Sequence, residues 1–260
     1  MTRTAIFAAT AWEFGAVRAA FPSGRRHTVN GIRVFAATVG EREYWLVRTG
    51  MGFEKAGRVA HNVLHQRPFG LVVSTGFACA LADAEIGDLL VGYEVMLVEA
   101  NGTGASPPID VPGPGRDEWL EVVSDLKREK HVGGFMSVDH IVWQASEKAR
   151  YARMTGAIGL DMESAALARE AKHAQVPFVI LRTASDLLDE DLPLDFNLFL
   201  RPTDWYKGIR SVLAAPSSLV GLGRLRRQSR SAAEKLTEFF QHSASAMAFV
   251  KAESASGKNA

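Results

Sequence analysis

Short apolar runs alternate with amphipathic segments along most of this 260-residue chain. Three of these runs are predicted to be buried strands: Thr4–Thr10, which a polar turn follows, Leu71–Thr75, which carries β-branched residues, and Phe178–Thr183, which comes after a turn. Between them, Trp12–Phe21 and Phe53–Gln66 carry apolar residues at helical spacing. Strands that alternate with helices in this way predict an α/β fold with a largely parallel or mixed central sheet.

Further elements follow from the same patterns. Arg33–Val39 and Tyr44–Thr49 are predicted to be two strands joined by a charged turn. The segment Asn101–Gly115 is rich in Gly and Pro, which indicates a surface loop. A short strand, Ala157–Leu160, is predicted to lead into a helix over Met162–His173.

The character of the sequence changes after Pro216. We expect a main domain over residues 1–215, followed by an amphipathic helical extension and a disordered tail over residues 216–260. Four arginines open the extension and three apolar residues form a stripe further on: Arg224, Arg226, Arg227 and Arg230, then Leu236, Phe239 and Phe240. The arginines fit a solvated helix face, and the alternative is a surface that meets an anionic membrane or an amphiphilic substrate.

Composition narrows the class of protein. The chain has 30 Lys and Arg against 29 Asp and Glu, a net charge of +1, which argues against a general nucleic-acid binder. Its one cysteine, Cys79, excludes an intramolecular disulfide and a Cys-based metal cage. The first residues show no signal-peptide pattern, and no apolar run approaches the ~18 residues of a membrane-spanning helix. We therefore expect a soluble, cytoplasmic protein.

Three carboxylates follow predicted strands, and these are the candidate catalytic and binding groups. Glu13 comes after the first strand, Glu163 lies between a strand and a helix, and Asp186 follows the last apolar strand. Taken singly, each fits an ordinary helix-terminal or turn residue. Because the carboxyl ends of parallel strands form one edge of a sheet, the three are expected to converge. Converging carboxylates suit a reaction that builds up positive charge and needs a proton donor.

Five motifs occur in order along the chain: the strand ending near Glu13, Thr49-Gly50-Met51-Gly52, Val73-Ser74-Thr75-Gly76-Phe77-Ala78 before Ile86-Gly87-Asp88-Leu89, Asp161-Met162-Glu163-Ser164-Ala165-Ala166, and Ser185-Asp186. Together they resemble the purine nucleoside phosphorylase and nucleosidase family from about Thr4 to Asp186. The resemblance implies a single-domain, twisted mixed sheet flanked by helices, cleavage of a nucleoside's N-glycosidic bond, and a homo-oligomer. It implies no cofactor, although a phosphorylase would take inorganic phosphate as co-substrate.

The same resemblance implies a role for each matching position. Asp186 would protonate the leaving purine, which we expect to be adenine, and Glu13 would activate water. Glu163 would hold the ribose hydroxyls. The other expected substrate-binding residues are Met162 against the sugar, Phe77 and Ala78 at the turn after the central strand, Ile141 and Val142 over the base, and Ser185. No metal site is expected.

Water and phosphate remain alternative nucleophiles. In the phosphorolytic branch an arginine and a serine commonly flank the turn after the central strand, and here Ser74 and Phe77 occupy those positions. Because an apolar ring cannot bind phosphate, we favour hydrolysis, although Arg48 is a cation near the site that keeps phosphorolysis open. Phe77 also suggests an apolar substituent on the sugar.

One branch of the family accounts for more of the chain. The acidic stretch from Ser185 to Pro193 and the Arg-rich C-terminus resemble the hopanoid-associated phosphorylases, which are thought to remove adenine from adenosylhopane. A membrane-peripheral protein would fit that substrate. A third alternative is a nucleoside-binding protein without catalysis, although three convergent carboxylates speak against it.

Overall fold

A computed structural model describes residues 2–98, 104–127, 129–194, 196–197 and 217–256. Its strands are β1 (Thr2–Ala8), β2 (Arg25–Val29), β3 (Ile32–Val39), β4 (Arg42–Arg48), β5 (Leu71–Ala80), β6 (Leu89–Leu97), β7 (Ile109–Asp110), β8 (Lys130–Ser137), β9 (Gly159–Asp161) and β10 (Phe178–Asp186). Its helices are α1 (Ala11–Ala19), α2 (Phe53–Leu64), α3 (Pro114–Ser124), α4 (Ala145–Thr155), α5 (Ser164–His173) and α6 (Ser217–Ser256).

The strands form one mixed sheet, part of which closes on itself. β5 pairs with β10, β10 with β6, β6 with β8, β8 with β9, and β9 pairs back with β5. The sheet continues from β5 through β1, β4 and β3 to β2. β1, β5 and β10 lie side by side and run parallel, so their carboxyl ends meet at one edge. The expected twisted mixed sheet is thus confirmed.

Helices cover both faces of the sheet and bury its side chains. On one face, α2 and α5 pack small residues such as Ala60 and Ala166 against Val72 and Ile180. On the other, α1, α3 and α6 cover a second cluster that includes Val73 and Leu181 from the central strands. Central strands covered on both faces account for the continuous apolar runs in the sequence.

The helix α6 is part of this second layer. Its Leu236, Phe239 and Phe240 are fully buried, and the rings of Phe239 and Phe240 lie 6.1 and 5.9 Å from that of Trp119. The apolar stripe of the predicted amphipathic helix is therefore core and is not available to a membrane or an amphiphile. No helix in the described ranges is both long and apolar enough to cross a bilayer.

Two further sequence expectations need correction. The stretch Asn101–Gly115 is not loop throughout, because β7 pairs with β6 within it and α3 already begins at Pro114. The strand β2 was not predicted, because its sequence, RRHTV, is largely exposed and lacks a buried face. The helix α6 runs to Ser256, and the last four residues lie outside the described part of the chain.

Candidate active site

The first wall of the site is the junction of β1 and α1. Thr10 caps α1, and its hydroxyl accepts the N–H of Glu13 while Glu13 Oε2 accepts the N–H of Thr10 at 2.7 Å. This is a capping box, the local pattern that starts a helix. The other oxygen of Glu13 accepts the N–H of Phe77 at 2.8 Å, which ties α1 to the central strand β5. Glu13 thus performs the helix-terminal function and also lines the site.

Close approach of α1 to β5 depends on Gly76. Its φ is +139°, and a Cβ at this position would lie 2.2 Å from Glu13 Oε1. Only glycine tolerates both the conformation and the contact. The next residue, Phe77, directs its ring toward Trp12 in an edge-to-face contact at 6.0 Å.

The second wall is the junction of β9 and α5. Here Asp161 holds the backbone, since its Oδ1 accepts the N–H groups of Glu163 and Ser164 at 3.1 and 3.0 Å and the Ser137 hydroxyl at 2.6 Å. Glu163 makes no side-chain capping bond. Its Oε1 instead accepts the N–H of Gly52 at 2.8 Å. The helix-terminal role therefore belongs to Asp161, and Glu163 is left to face the site.

The buried Arg182 links the acidic groups, and sequence analysis gave it no role. Its Nε lies 2.8 Å from Asp161 Oδ2, an ion pair outside hydrogen-bond geometry, and other guanidinium nitrogens lie 3.5 Å from Glu163 and 3.9 Å from Glu13. It also donates to the carbonyl of Phe77 and to the hydroxyl of Ser74. An arginine inside an apolar strand signals a buried ionic partner.

The electrostatics of this cluster follow from burial and charge. Burial raises the pKa of Glu163 to about 7, helped by the charges of Asp161 and Glu13 and opposed by Arg182. Burial would lower the pKa of Arg182, but the neighbouring carboxylates of Asp161, Glu163 and Glu13 raise it above its usual value. Glu163 therefore exchanges its proton near neutral pH, whereas Arg182 keeps its charge.

The third wall is the end of β10. A β-bulge between Ala184 and Asp186 shifts the register, so that Asp186 pairs with Cys79 of β5. The Asp186 carboxylate accepts the ammonium of Lys148 at 2.8 Å and the hydroxyl of Ser185 at 3.0 Å. Sequence analysis did not identify Lys148, which lies on α4 in a segment of mixed polarity.

These walls enclose a cavity of about 340 Å³, within the usual range of small-molecule sites. All nine residues that the sequence analysis selected line it: Glu13, Phe77, Ala78, Ile141, Val142, Met162, Glu163, Ser185 and Asp186. Residues that it did not select also line the cavity: Met51, His140, Asp161, Leu192 and Phe196, together with Leu225 and Ser229 of α6. The convergence of the carboxylates is therefore observed, and the individual roles remain predictions.

Two residues weighed for phosphate do not reach this cavity. Ser74 is fully buried, where its hydroxyl hydrogen-bonds Ser164 and Arg182. Arg48 lines a separate cleft beside β2 and β3. Among the described residues that line the cavity there is no lysine or arginine, while four carboxylates are present. The described part of the chain also groups no three His, Cys, Asp or Glu side chains as metal ligands.

Comparison with known proteins agrees with this architecture. The fold and the carboxylate-lined cavity define an α/β protein with a small-molecule site at one edge of its sheet. Residues 3–203 match the family model of the phosphorylase superfamily, and the chain belongs to that superfamily. It is 23% identical over 185 residues to the 5′-methylthioadenosine/S-adenosylhomocysteine nucleosidase of Staphylococcus aureus strain RF122, covering 66% of this chain and 81% of the relative.

Solved structures share the fold over nearly the whole chain. Futalosine hydrolase of Helicobacter pylori strain 26695 superposes with a TM-score of 0.72 at 15% identity, covering 93% of this chain and 97% of its own. S-adenosylhomocysteine nucleosidase of Streptococcus pyogenes, solved with 5-methylthiotubericidin, gives a TM-score of 0.65 at 18% identity, covering 91% and 97%. The expected nucleoside phosphorylase-like fold is thereby confirmed.

Proposed function

We propose that this protein hydrolyses the N-glycosidic bond of a purine nucleoside, with adenine as the base. The observation that carries the proposal is which charged side chains face the cavity: its described lining holds four carboxylates and no lysine or arginine, since Arg182 and Lys148 contact these carboxylates from outside the lining. Such a lining favours a sugar that becomes cationic as its bond breaks. It disfavours a phosphate dianion, which needs cationic and hydroxyl donors.

Each carboxylate then has a task. Asp186 donates a proton to the leaving purine, a step that contributes about 10²–10⁴ to the rate when the donor is positioned. Glu163 accepts the ribose hydroxyls, and its charge stabilises the oxocarbenium-like sugar. Glu13 orients and activates water through the lone pairs that the N–H groups of Thr10 and Phe77 leave free. Met162 packs against the sugar.

The remaining lining residues bear on the identity of the substrate. Ile141 and Val142 are proposed to cover the base, and Ser185 and Ala78 to flank it. Apolar side chains supply another part of the lining: Met51, Phe77, Leu192, Phe196 and Leu225. Because apolar walls favour apolar groups, we propose that the nucleoside carries an apolar 5′ substituent, such as the alkylthio group of methylthioadenosine.

The experiment is base release from adenosine, methylthioadenosine and a long-chain 5′-alkyl adenosine, each with and without inorganic phosphate. Mass spectrometry identifies the sugar product. Free sugar formed without phosphate supports the proposal. A phosphorylated sugar formed only with phosphate establishes the alternative, a phosphorylase, and release from the long-chain substrate alone points to a lipid-linked adenosine such as adenosylhopane. Tight nucleoside binding without turnover establishes a non-catalytic binder.

Peripheral membrane contact is a secondary proposal, and it rests on arginines alone. Arg224, Arg226, Arg227 and Arg230 are exposed on α6, while the apolar stripe of that helix is buried. Contact would therefore be electrostatic, requiring anionic lipid and weakening with salt. Co-sedimentation with anionic but not neutral vesicles, lost in the Arg226→Glu/Arg227→Glu variant, would support it. A homo-oligomer is likewise proposed and is tested by light scattering.

A further inference from the structure

Lys148 is fully buried on α4, where a lysine is found only with partners. Its ammonium donates three hydrogen bonds, to Asp186 Oδ2 at 2.8 Å and to the carbonyls of Leu187 and Glu190 at 2.9 Å each. An ammonium has three donors, so each of them is used. Lys148 is thus bound to the proposed catalytic acid and to the loop that follows it.

Lys148 contacts Asp186 from the side that faces away from the cavity. Asp186 and Ser185 line the cavity, whereas Lys148 does not. Burial has the largest single effect on the pKa of Lys148 and would lower it, but the surrounding groups, Asp186 first among them, together leave the pKa above its usual value. Lys148 therefore stays an ammonium over the pH range of the protein and has no direct path to a substrate.

We propose that Lys148 is a positioning residue that orients Asp186 and stabilises the carboxylate formed when Asp186 gives its proton to the purine. This inference rests on the proposed function. In the proton transfer the O–H bond of Asp186 breaks and an N–H bond forms on the purine ring. The glycosidic C–N bond breaks and its electron pair goes to the base, while a water oxygen bonds to the sugar carbon and gives its proton to Glu13. Lys148 keeps its three protons throughout, and Asp186 regains a proton from solvent.

This arrangement has a consequence for pH dependence. Because the ammonium lies 2.8 Å from Asp186 Oδ2, its charge stabilises the carboxylate that Asp186 becomes, and removing that charge should change how turnover depends on pH. Other titratable groups face the pair. Cys79 of β5 lies beside it, and burial and the charge of Asp186 raise the pKa of that thiol well above its usual value, so it stays neutral. Glu190 lies behind Lys148, and the cavity also holds His140, Asp161, Glu163 and Glu13.

The test compares Lys148→Met and Lys148→Arg with wild type, with Lys172→Met at an exposed position of α5 as the matched control. The readouts are kcat and kcat/KM for adenosine and methylthioadenosine against pH, and the pH dependence of adenine binding by calorimetry. We expect Lys148→Met to lower the maximal kcat at least tenfold and to displace the alkaline limb of the pH profile. Lys148→Arg and Lys172→Met should leave the limb in place.

A purely structural lysine would not move the limb. Superimposable pH profiles for the wild type and folded Lys148→Met overturn this inference and leave the proposed function intact. Where circular dichroism shows that Lys148→Met does not fold, Lys148→Gln, which keeps two donors without the charge, is compared in the same way. A wild-type protein that releases no purine from any substrate and binds no adenine overturns both the inference and the proposed function.

Discussion

The carboxylate of Glu163 accepts a 2.8 Å hydrogen bond from the backbone N–H of Gly52, a residue 111 positions earlier in the chain. Gly52 is the N-cap of α2 and has a φ of 94°, so it exposes its N–H at the start of that helix. Arg182 approaches Glu163 from the other side. Two distant elements therefore fix the group proposed to bind the sugar before any substrate arrives, which is the form of preorganisation that favours catalysis.

The raised pKa of Glu163 predicts a pH-dependent stability. Its pKa is about 7 in the folded protein against 4.5 for the free side chain. Because the folded state binds the proton more tightly, the stabilisation is fully present below the unfolded value and is lost as the pH rises through the folded one. We expect the free energy of unfolding of the wild type to fall between pH 5 and 8 relative to Glu163→Gln, by roughly 1.4 kcal/mol per pKa unit at most.

Urea denaturation of the wild type and Glu163→Gln at both ends of that range checks this prediction. Glu54→Gln, at an exposed position of α2, is the control for the chemical change itself. A constant difference between Glu163→Gln and the wild type across the range would contradict the burial argument.

Replacing Asp186 should remove turnover and spare the fold. In Asp186→Asn the side-chain carbonyl can still accept from Lys148, which also keeps its bonds to Leu187 and Glu190. We expect base release to fall by about 10²–10⁴ in a protein that still folds, with a lowered Tm because the buried Lys148 loses its counter-charge. Asp189→Asn, three residues on and exposed, should keep wild-type rates. Near-normal activity in Asp186→Asn would remove Asp186 from the mechanism.

The close contact between Gly76 and Glu13 predicts that adding a single methyl group at Gly76 lowers the stability of the protein substantially. The added Cβ of Gly76→Ala would meet Glu13 Oε1 at 2.2 Å in a backbone conformation of φ +139°. We expect Gly76→Ala to lower stability by more than about 2 kcal/mol and to impair activity, because α1 must shift. Gly31→Ala is the control, since its φ is +77° but no atom lies within 4 Å of the added Cβ. Thermal unfolding should show a clearly smaller loss of stability for Gly31→Ala than for Gly76→Ala. Equal losses of stability would mean that backbone strain alone, and not the contact with Glu13, destabilises Gly76→Ala.

The burial of Phe239 predicts that α6 stabilises the main fold. Phe239→Ala removes a ring that is 1% exposed and packs against Trp119, which should cost about 3–5 kcal/mol. Arg226→Ala, on the exposed side of the same helix, should change stability by no more than about 0.5 kcal/mol. Denaturant titration of both variants checks this. A separate, lower-temperature transition for α6 with an unchanged main transition would indicate an appendage instead.

The sequence sufficed for two of the three predicted carboxylates because of strand geometry. Glu13 follows β1 and Asp186 ends β10, and both strands run parallel to β5, so the two groups meet at one edge of the sheet. Glu163 reaches the same site by a different route, because β9 runs antiparallel to β5, and the expectation that it would follow a strand parallel to the other two was wrong. The sequence did not suffice for Lys148, because Ala-Ser-Glu-Lys-Ala-Arg reads as a polar helix and only tertiary packing buries the lysine. The sequence also did not predict that Leu225 lines the cavity, for a related reason. This residue lies far along the chain, and its approach to the cavity depends on how α6 packs.

The sequence contains partial evidence for two other features that were not predicted, the role of Arg182 and the full length of β5. Arg182 interrupts an apolar strand, and this pattern already indicates a buried charge that has partners. The sequence could not show that its nearest partner is Asp161, because the two residues meet only in the folded chain. The strand β5 continues through Gly76 to Ala80, where the pattern suggested a turn after Thr75. The sequence predicts a turn at Gly76, whereas in the structure the strand continues and the absence of a Cβ at Gly76 makes room for Glu13.

The packing of α6 has a consequence for synthesis on the ribosome. This helix follows every other described element in the chain, and yet it covers Trp119 and the face of the sheet that carries Leu181. Until it emerges, the nascent chain exposes an apolar surface and lacks the wall that Leu225 and Ser229 give the cavity. Folding that proceeds from the N-terminus therefore reaches completion late, and the unfinished chain is the form that depends most on chaperones.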